Sequence, residues 1–214
     1  MKLYSGPLSL FTGKVRIALA EKGLRYELES VPFSRAGYQP KHPVVLAVNP
    51  KAQVPVLEDG ELLLYDSTII FEYLEDRYPT PPLYPPDAVA RTRCRQLEAA
   101  ADEVLFPSIF ELITEVFYEP DAKRRDAARI ARATETITRH YDGLEASLGE
   151  RQWLCPIFSV ADIGYFMTIT FASSLGAGLG ATHPRLRAWY DRVLARPSVT
   201  TEVTGLTTAM SRLG

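Results

Sequence analysis

The sequence predicts an α/β domain followed by an all-α domain, and three features of its 214 residues carry that prediction. The N-terminal part switches between strand-like and helix-like patterning, which is the mark of a mixed sheet with covering helices. A proline-dense strip, Tyr78-Pro79-Thr80-Pro81-Pro82-Leu83-Tyr84-Pro85-Pro86, interrupts the chain. Neither a helix interior nor a central strand accepts such a strip. Beyond it, apolar residues recur only at helical spacing. The expected division is 1–78 for the mixed domain, 79–87 for a proline-rich linker and 88–214 for the helical domain.

Met1 to Ser5 reads as a short strand and Ser9 to Lys22 as a helix, with Val15, Ala18 and Leu19 on one face and Gly23 at the C′ position. Arg25 to Val31 returns to strand-like alternation. Pro55 heads the next apolar segment, where a missing amide donor is tolerated. If the Val54-Pro55 bond is cis, the Val54 backbone turns away from the sheet and can pair with an extended peptide. Asp59-Gly60 has the composition of a type I′ hairpin turn, which returns Leu62, Leu63 and Leu64 antiparallel to Val56 and Leu57. Asp66-Ser67-Thr68 then opens a helix containing Ile69, Ile70, Tyr73 and Leu74. Ser67 reads as an ordinary cap, but a helix N-terminus of this kind also suits a carboxylate ligand.

After the linker, Ala88 to Tyr118 carries Leu97, Ala101, Val104, Leu105, Ile109, Leu112, Ile113 and Val116 at helical spacing, with Pro107 as a kink. Asp121 to Leu148 reads as a second long helix. Its Lys123, Arg124, Arg125, Arg129 and Arg132 form a solvated face, because acidic residues are interleaved and the net charge is −2. Nucleic-acid binding is therefore not supported. Ile163 to Thr182 is uncharged and approaches a membrane span in length. Its small and polar residues, and Ser159-Val160-Ala161-Asp162 ahead of it, indicate instead a capped, buried helix followed by a glycine-rich loop. Pro184 to Arg196 forms another helix, and Pro197-Ser198 opens a short last one.

The N-terminus lacks the basic lead and long apolar core of a signal peptide, so the expectation is a cytoplasmic protein without membrane association. Cys94 and Cys155 lie far apart without Cys-x-x-Cys spacing and imply neither zinc nor a thioredoxin-type redox pair.

The order Asn49-Pro50-Lys51-Ala52-Gln53-Val54-Pro55-Val56-Leu57, then Asp66-Ser67, then a helix, resembles the glutathione-binding half of cytosolic glutathione transferases. The Ser-x-Ala-Asp lead at Ser159 resembles the box that begins the core helix of their C-terminal domain. The resemblance covers nearly the whole chain. It implies a thioredoxin-like N-terminal domain, a C-terminal helical bundle, a homodimer, glutathione as co-substrate and no metal. Carried over by residue, it implies that Val54 pairs with the cysteinyl backbone of glutathione, and that Asp66 and Ser67 hold its γ-glutamyl end. Gln53 matches the glutamine before the Val-Pro pair. Lys41 takes the place of a basic residue that contacts the glycine carboxylate, although Pro40 replaces the histidine often beside it, and His42 is a possible substitute. Ala52 stands where many members have glycine.

Conjugation needs the glutathione thiol as thiolate, since the thiolate is the nucleophile. A hydroxyl donor aimed at the sulfur stabilises that anion by about 1.5–3 kcal/mol. Tyr4, Ser5, Ser9 and Thr12 are the candidate donors. Alignment of Lys14-Val15-Arg16-Ile17-Ala18-Leu19 with the matching helix of serine-type transferases selects Ser9, whose plain role is a helix cap. Tyr4 is too early for the tyrosine-type classes. The absence of cysteine from Ser9-Leu10-Phe11-Thr12 argues against mixed-disulfide chemistry and departs from the Ser-Ser-Cys pattern of the isomerising class. Phe11, Phe106 and Phe110, with Phe117 and Tyr118, are candidates for an apolar electrophile pocket, and aromatics at this spacing are also ordinary core. The expected activity is conjugation of glutathione to an apolar small-molecule electrophile. The alternatives are a glutathione-dependent isomerase or dehalogenase, and a non-catalytic binding module of the same fold.

Overall fold

A computed structural model describes residues 1–34, 37–39 and 41–212. The chain divides into two compact units, Met1–Pro82 with Arg196–Gly214, and Leu83–Ala195. The first contains β1 (Lys2–Ser5), α1 (Leu10–Glu21), β2 (Glu27–Ser30), α2 (Pro43–Val48), β3 (Val56–Asp59), β4 (Leu62–Tyr65), α3 (Ser67–Arg77) and α9 (Pro197–Ser211). The second contains α4 (Ala88–Ala100), α5 (Phe106–Leu112), α6 (Ala127–Leu148), α7 (Val160–Ser174) and α8 (Pro184–Leu194), with π-helical segments Ala101–Leu105 and Ile113–Tyr118 on either side of α5. The expected order, a thioredoxin-like α/β domain and then a helical one, is present.

The sheet has the order β2-β1-β3-β4. β1 runs parallel to β2 and antiparallel to β3, and β4 is antiparallel to β3. Val56 is paired on one side with Tyr4 and on the other with Tyr65. Leu3, Val56 and Leu57 are fully buried, as are Val15, Ile17, Ala18 and Leu19 of α1. α1 ends as its sequence requires. Gly23 has φ +65°, its amide bonds Ala20 O, and the Leu24 amide bonds Leu19 O, which together close the helix with a left-handed C′ residue.

The hairpin differs from the Asp59-Gly60 expectation by one residue. Asp59 pairs with Leu62, so the two-residue loop is Gly60-Glu61. Gly60 has φ +63°, while Asp59 and Glu61 do not have positive φ. Positive φ at the first loop position alone is the demand of a type II′ turn, and glycine meets it without a Cβ clash. Asp59 is held in the strand because its carboxylate accepts the hydroxyls of Tyr73, at 2.7 Å, and Tyr78, at 2.9 Å.

Two helix boundaries also differ from expectation, and the helical run around Pro107 is irregular. α6 begins at Ala127 rather than Asp121, because Asp126 caps it by accepting the Arg129 amide. Asp121 closes a separate local turn onto the Lys123 amide. Pro107 does not break the helical path. It lies in the first turn of α5, just after a π-helical segment in which the Phe106 amide bonds Ala101 O, so the wider turn takes up the irregularity. The last helix, expected to be short, spans 15 residues. Its threonines and Gly205 lower its intrinsic propensity, but packing overrides them. Val199 is fully buried, and the Arg16 guanidinium holds Glu202 through two nitrogens, at 2.7 and 2.5 Å. Arg196 makes a similar two-pronged contact with Glu21, at 2.9 and 2.5 Å, and the Ser198 hydroxyl also bonds Glu21. These contacts explain why α9 groups with the first unit although it follows the helical segment in sequence.

Among the described residues no helix is long and apolar enough to cross a membrane.

Candidate functional site

Strand direction places the candidate residues together. β1 and β4 run the same way, so both end at the same edge of the sheet, while β3 runs against them and begins there. α1 starts beyond the end of β1, and α3 starts directly beyond the end of β4. The segment Gln53-Val54-Pro55 leads into the start of β3. Ser9, Val54 and Asp66-Ser67 therefore converge on one edge of the sheet, although Ser9 and Asp66 lie 57 positions apart in sequence. Two helix N-termini point their free amides toward that edge, which favours a ligand with negative charge.

Ser9 caps α1. Its Oγ accepts the Thr12 amide at 3.2 Å, and the residue is 8 % exposed. That cap occupies an oxygen lone pair and leaves the O–H as a donor, so capping and donation to a ligand are compatible. The other donor candidates are engaged or enclosed. Tyr4 donates to Glu58 at 2.9 Å, Ser5 Oγ accepts from Arg16 at 2.5 Å, and Thr12 is fully buried, with its Oγ1 facing the Gly6 amide at 3.5 Å.

The Val54-Pro55 peptide is cis. Both ladders of β3 begin at Val56, so Val54 lies outside them. Its side chain is buried with Tyr4, Val31, Val45 and Val56, which fixes the strand position while the backbone precedes the sheet. Asn49, to which sequence reasoning assigned no role, holds this approach. Its Nδ2 donates to Gln53 O at 2.7 Å and its Oδ1 accepts the Lys51 amide at 2.9 Å. An asparagine four residues before Gln53 is a legible turn signal, since its side chain closes local backbone bonds.

Between them Ala52 has φ +52°. A left-handed alanine costs roughly 1–2 kcal/mol. Ala52→Gly should therefore raise stability by about 0.5–1 kcal/mol after allowing for glycine's greater unfolded-state freedom. A urea midpoint that stays level or falls would show that the alanine carries no such cost.

Asp66 has φ +75° and ψ 125°, a sparsely populated backbone for a residue with a Cβ. It is exposed and caps α3 through the Thr68 amide at 3.0 Å, so it is the cap and Ser67 is the first helical residue, nearly buried at 3 %. Backbone outliers of this kind cost about 1–3 kcal/mol and concentrate at ligand sites. Gln53 is exposed, and Lys41 is half-buried beside His42. His42 is engaged through one ring nitrogen. Its Nδ1 accepts the Val44 amide at 3.2 Å as the cap of α2, and its ring lies 4.9 Å from that of Tyr4. Pro40 lies outside the described residues.

The aromatic candidates fall in different units. Phe11 is on α1, its ring 5.6 Å from the buried Lys14 ammonium. Phe106 and Phe110 are on α5, with ring centroids 6.1 Å apart and Phe110 53 % exposed. Among the described residues no group of three or more His, Cys, Asp or Glu side chains could hold a metal ion.

Comparison with known proteins converges on one group. The family model described as "Glutathione S-transferase, N-terminal domain" matches residues 3–82, and that described as "Glutathione S-transferase, C-terminal domain" matches 127–192. A maleylacetoacetate isomerase of Pseudomonas aeruginosa is 32 % identical over 92 % of this chain and 93 % of its own length. A stringent starvation protein A homolog of Coxiella burnetii is 34 % identical over 72 % of this chain and 66 % of its own length. Among solved structures, a glutathione S-transferase from Methylobacterium radiotolerans in complex with glutathione sulfonate has a TM-score of 0.78 and 32 % identity, covering 94 % of this chain and 93 % of that one.

Proposed function

The chain belongs to the glutathione S-transferase family, and from that premise we propose that it conjugates glutathione to an apolar electrophile, with Ser9 stabilising the thiolate. The observation that carries this reading is the convergence of the Ser9 cap, the Val54 backbone ahead of β3 and the Asp66-Ser67 turn on one sheet edge. Val54 pairs with the cysteinyl backbone of glutathione. Asp66 takes the γ-glutamyl amine, and Ser67 with the free amides of α3 takes its α-carboxylate. Gln53 borders the same end, and Lys41 meets the glycine carboxylate. The thiol then lies at the start of α1, where the Ser9 O–H and the positive end of the helix favour the anion.

Phe11, on the helix that Ser9 caps, offers apolar surface to the electrophile. Glutathione is the co-substrate, no metal takes part, and a cytoplasmic homodimer acting in detoxification fits the family.

The binding half of this proposal has its own test. Asp66→Ala should weaken glutathione binding in titration calorimetry by about 10- to 100-fold, the loss of a hydrogen bond between charged groups. Unchanged affinity in a folded variant would move the γ-glutamyl site elsewhere.

A second reading is favoured by the 32 % identity with the isomerase along nearly the whole chain: glutathione is regenerated rather than consumed. Turnover without net loss of free thiol selects that reading over conjugation. The relationship to a stringent starvation protein A homolog, whose name specifies no reaction, leaves room for a third, a binding module without catalysis. It predicts bound glutathione whose thiol stays protonated at neutral pH.

A further inference from the structure

Gly6, directly after β1, does not have positive φ, so its backbone would suit any residue, and what glycine supplies there is space. A Cβ at this position would lie 2.4 Å from Cε1, 2.5 Å from the hydroxyl oxygen and 2.6 Å from Cζ of Tyr38. Tyr38 belongs to the segment between β2 and α2. Because β2 runs parallel to β1, that segment leaves the sheet at the edge where Ser9 lies. Ser34 and Gly37 exchange backbone bonds at 3.0 and 2.8 Å, and the rings of the flanking Phe33 and Tyr38 lie 4.6 Å apart. Tyr38 also packs against the buried cluster of Tyr4, Val31, Val45, Val54 and Val56, and its hydroxyl oxygen is enclosed. The ring thus touches both the turn that leads to Ser9 and the cluster that seats Val54. We propose that Tyr38 is a positioning residue for thiolate formation: as a spacer admitted by Gly6, it fixes the Ser9 hydroxyl relative to the glutathione backbone that Val54 holds.

This inference rests on the reading that Ser9 donates to the glutathione thiol, and adds what holds the donor in place. Gly6 is tied at both ends to the first turn of α1. Its carbonyl accepts the Ser9 amide at 3.3 Å, and its amide faces Thr12 Oγ1 at 3.5 Å. Displacing Gly6 therefore displaces Ser9, whose Oγ is in turn bonded to the Thr12 amide. On the other side of the ring, the Val54 side chain shares its cluster with Tyr38. The thiol belongs to the same residue of glutathione that pairs with the Val54 backbone, so the spacing from Val54 to Ser9 decides whether the hydroxyl meets the sulfur. Hydrogen bonds weaken steeply away from their preferred geometry, and a misplacement of about 1 Å at a reacting group costs on the order of 10²-fold. A tyrosine ring suits the role, because it fills a gap rigidly with only two torsions to fix. With alanine at residue 6 the enclosed ring has no room, so either the turn or the Tyr38 segment has to give.

The test reads the thiol pKa of bound glutathione from thiolate absorbance. Gly6→Ala and Tyr38→Ala should each raise it by about one unit, within the rise expected for losing the Ser9 hydrogen bond outright, with roughly 10-fold lower kcat/KM at neutral pH. Tyr38→Phe, which keeps the ring, should restore the wild-type value. In a Ser9→Ala background neither alanine substitution should raise the pKa further, because no donor remains to be misplaced. Gly6→Ala added to Tyr38→Ala should likewise change nothing, since the atoms that it would meet are gone. An unshifted pKa in folded Gly6→Ala and Tyr38→Ala, a Tyr38→Phe variant as impaired as Tyr38→Ala, or an equal rise in the Ser9→Ala background would overturn the inference. Failure of the underlying reading looks different: Ser9→Ala itself would then leave the pKa of bound glutathione unchanged, and both ideas would fall. If Gly6→Ala does not fold, Tyr38→Ala and Tyr38→Phe decide by the same measurement.

Discussion

Ser9→Ala should lower kcat/KM for glutathione conjugation by about 10- to 100-fold at neutral pH. A hydrogen bond to a charged group is worth about 1.5–3 kcal/mol, and each 1.36 kcal/mol is a factor of ten. The same energy appears as a rise of roughly one to two units in the pKa of bound glutathione. The loss should therefore shrink as pH rises above the new pKa, where the thiolate forms without help. That pH dependence separates donation from structure, because removing the α1 cap costs about 1 kcal/mol of stability at any pH. Ser9→Thr keeps both an oxygen that caps and a hydroxyl that donates, so it should restore the acid limb of the profile. Ser9→Gly loses the hydroxyl at a smaller capping cost and should behave like alanine in the profile but not in stability. If thiolate absorbance of bound glutathione titrates identically in wild type and Ser9→Ala, Ser9 is only a cap.

How far the sequence reveals this molecule depends on the range of the interaction concerned. Ser9, Gly23 and Ser159 act within one turn of chain, where residue type alone limits the backbone, and all three were legible, whereas the α3 cap falls on Asp66 and not on Ser67. The Gly60-Glu61 turn shows the limit of that logic. Asp59-Gly60 suits one turn type locally, but Tyr73 of α3 and Tyr78 just after it hold Asp59 in the strand and move the turn by one residue.

Longer-range facts left weaker traces. The last helix has poor propensity and exists through Arg16, Glu21 and buried Val199. The packing of α4 against α7 has no sequence signature, because the two helices are brought together only by the core of the helical unit. In the candidate site the three glutathione-facing segments were legible singly, as turns and caps. Their convergence depends on β3 running against β1 and β4, which no one segment encodes. The aromatic candidates were the least legible, because an aromatic at helical spacing has the same pattern whether it is core, as Phe166 is, or exposed, as Phe110 is.

Asp162→Ala should be among the most destabilising single substitutions in the helical unit, costing about 3–5 kcal/mol, the range for breaking a buried charged network. Asp162 is fully buried, and its two oxygens accept four bonds. Oδ1 takes the Leu154 amide at 2.9 Å and Trp189 Nε1 at 2.7 Å, while Oδ2 takes the Ser159 amide at 2.9 Å and the Ser159 hydroxyl at 3.1 Å. Alanine leaves all four donors buried, and each unsatisfied donor costs about 1–3 kcal/mol, though not additively. One carboxylate ties the start of α7, the segment before it and α8 together, so the loss should appear as a fall in Tm of about 6–20 °C.

The same group predicts a pH dependence. Burial pushes its carboxyl from 3.8 up to about 6, although the four donors favour the charged form. A folded-state pKa above the unfolded one means that the folded protein binds the extra proton between about pH 4 and 6. The stabilising contribution is complete below pH ~4 and is lost as pH rises through ~6, a change of about 3 kcal/mol. Glu21, where Arg196 and Ser198 outweigh burial, and Asp59, to which Tyr73 donates, are held below their ordinary values and act in the opposite sense, at pH below about 4.5. Asp162→Asn preserves the shape but cannot titrate, so denaturant midpoints measured at pH 4.5 and pH 7 should differ less in that variant than in wild type. Equal differences in the two proteins would mean that the four donors outweigh burial and keep Asp162 ionised across the whole range.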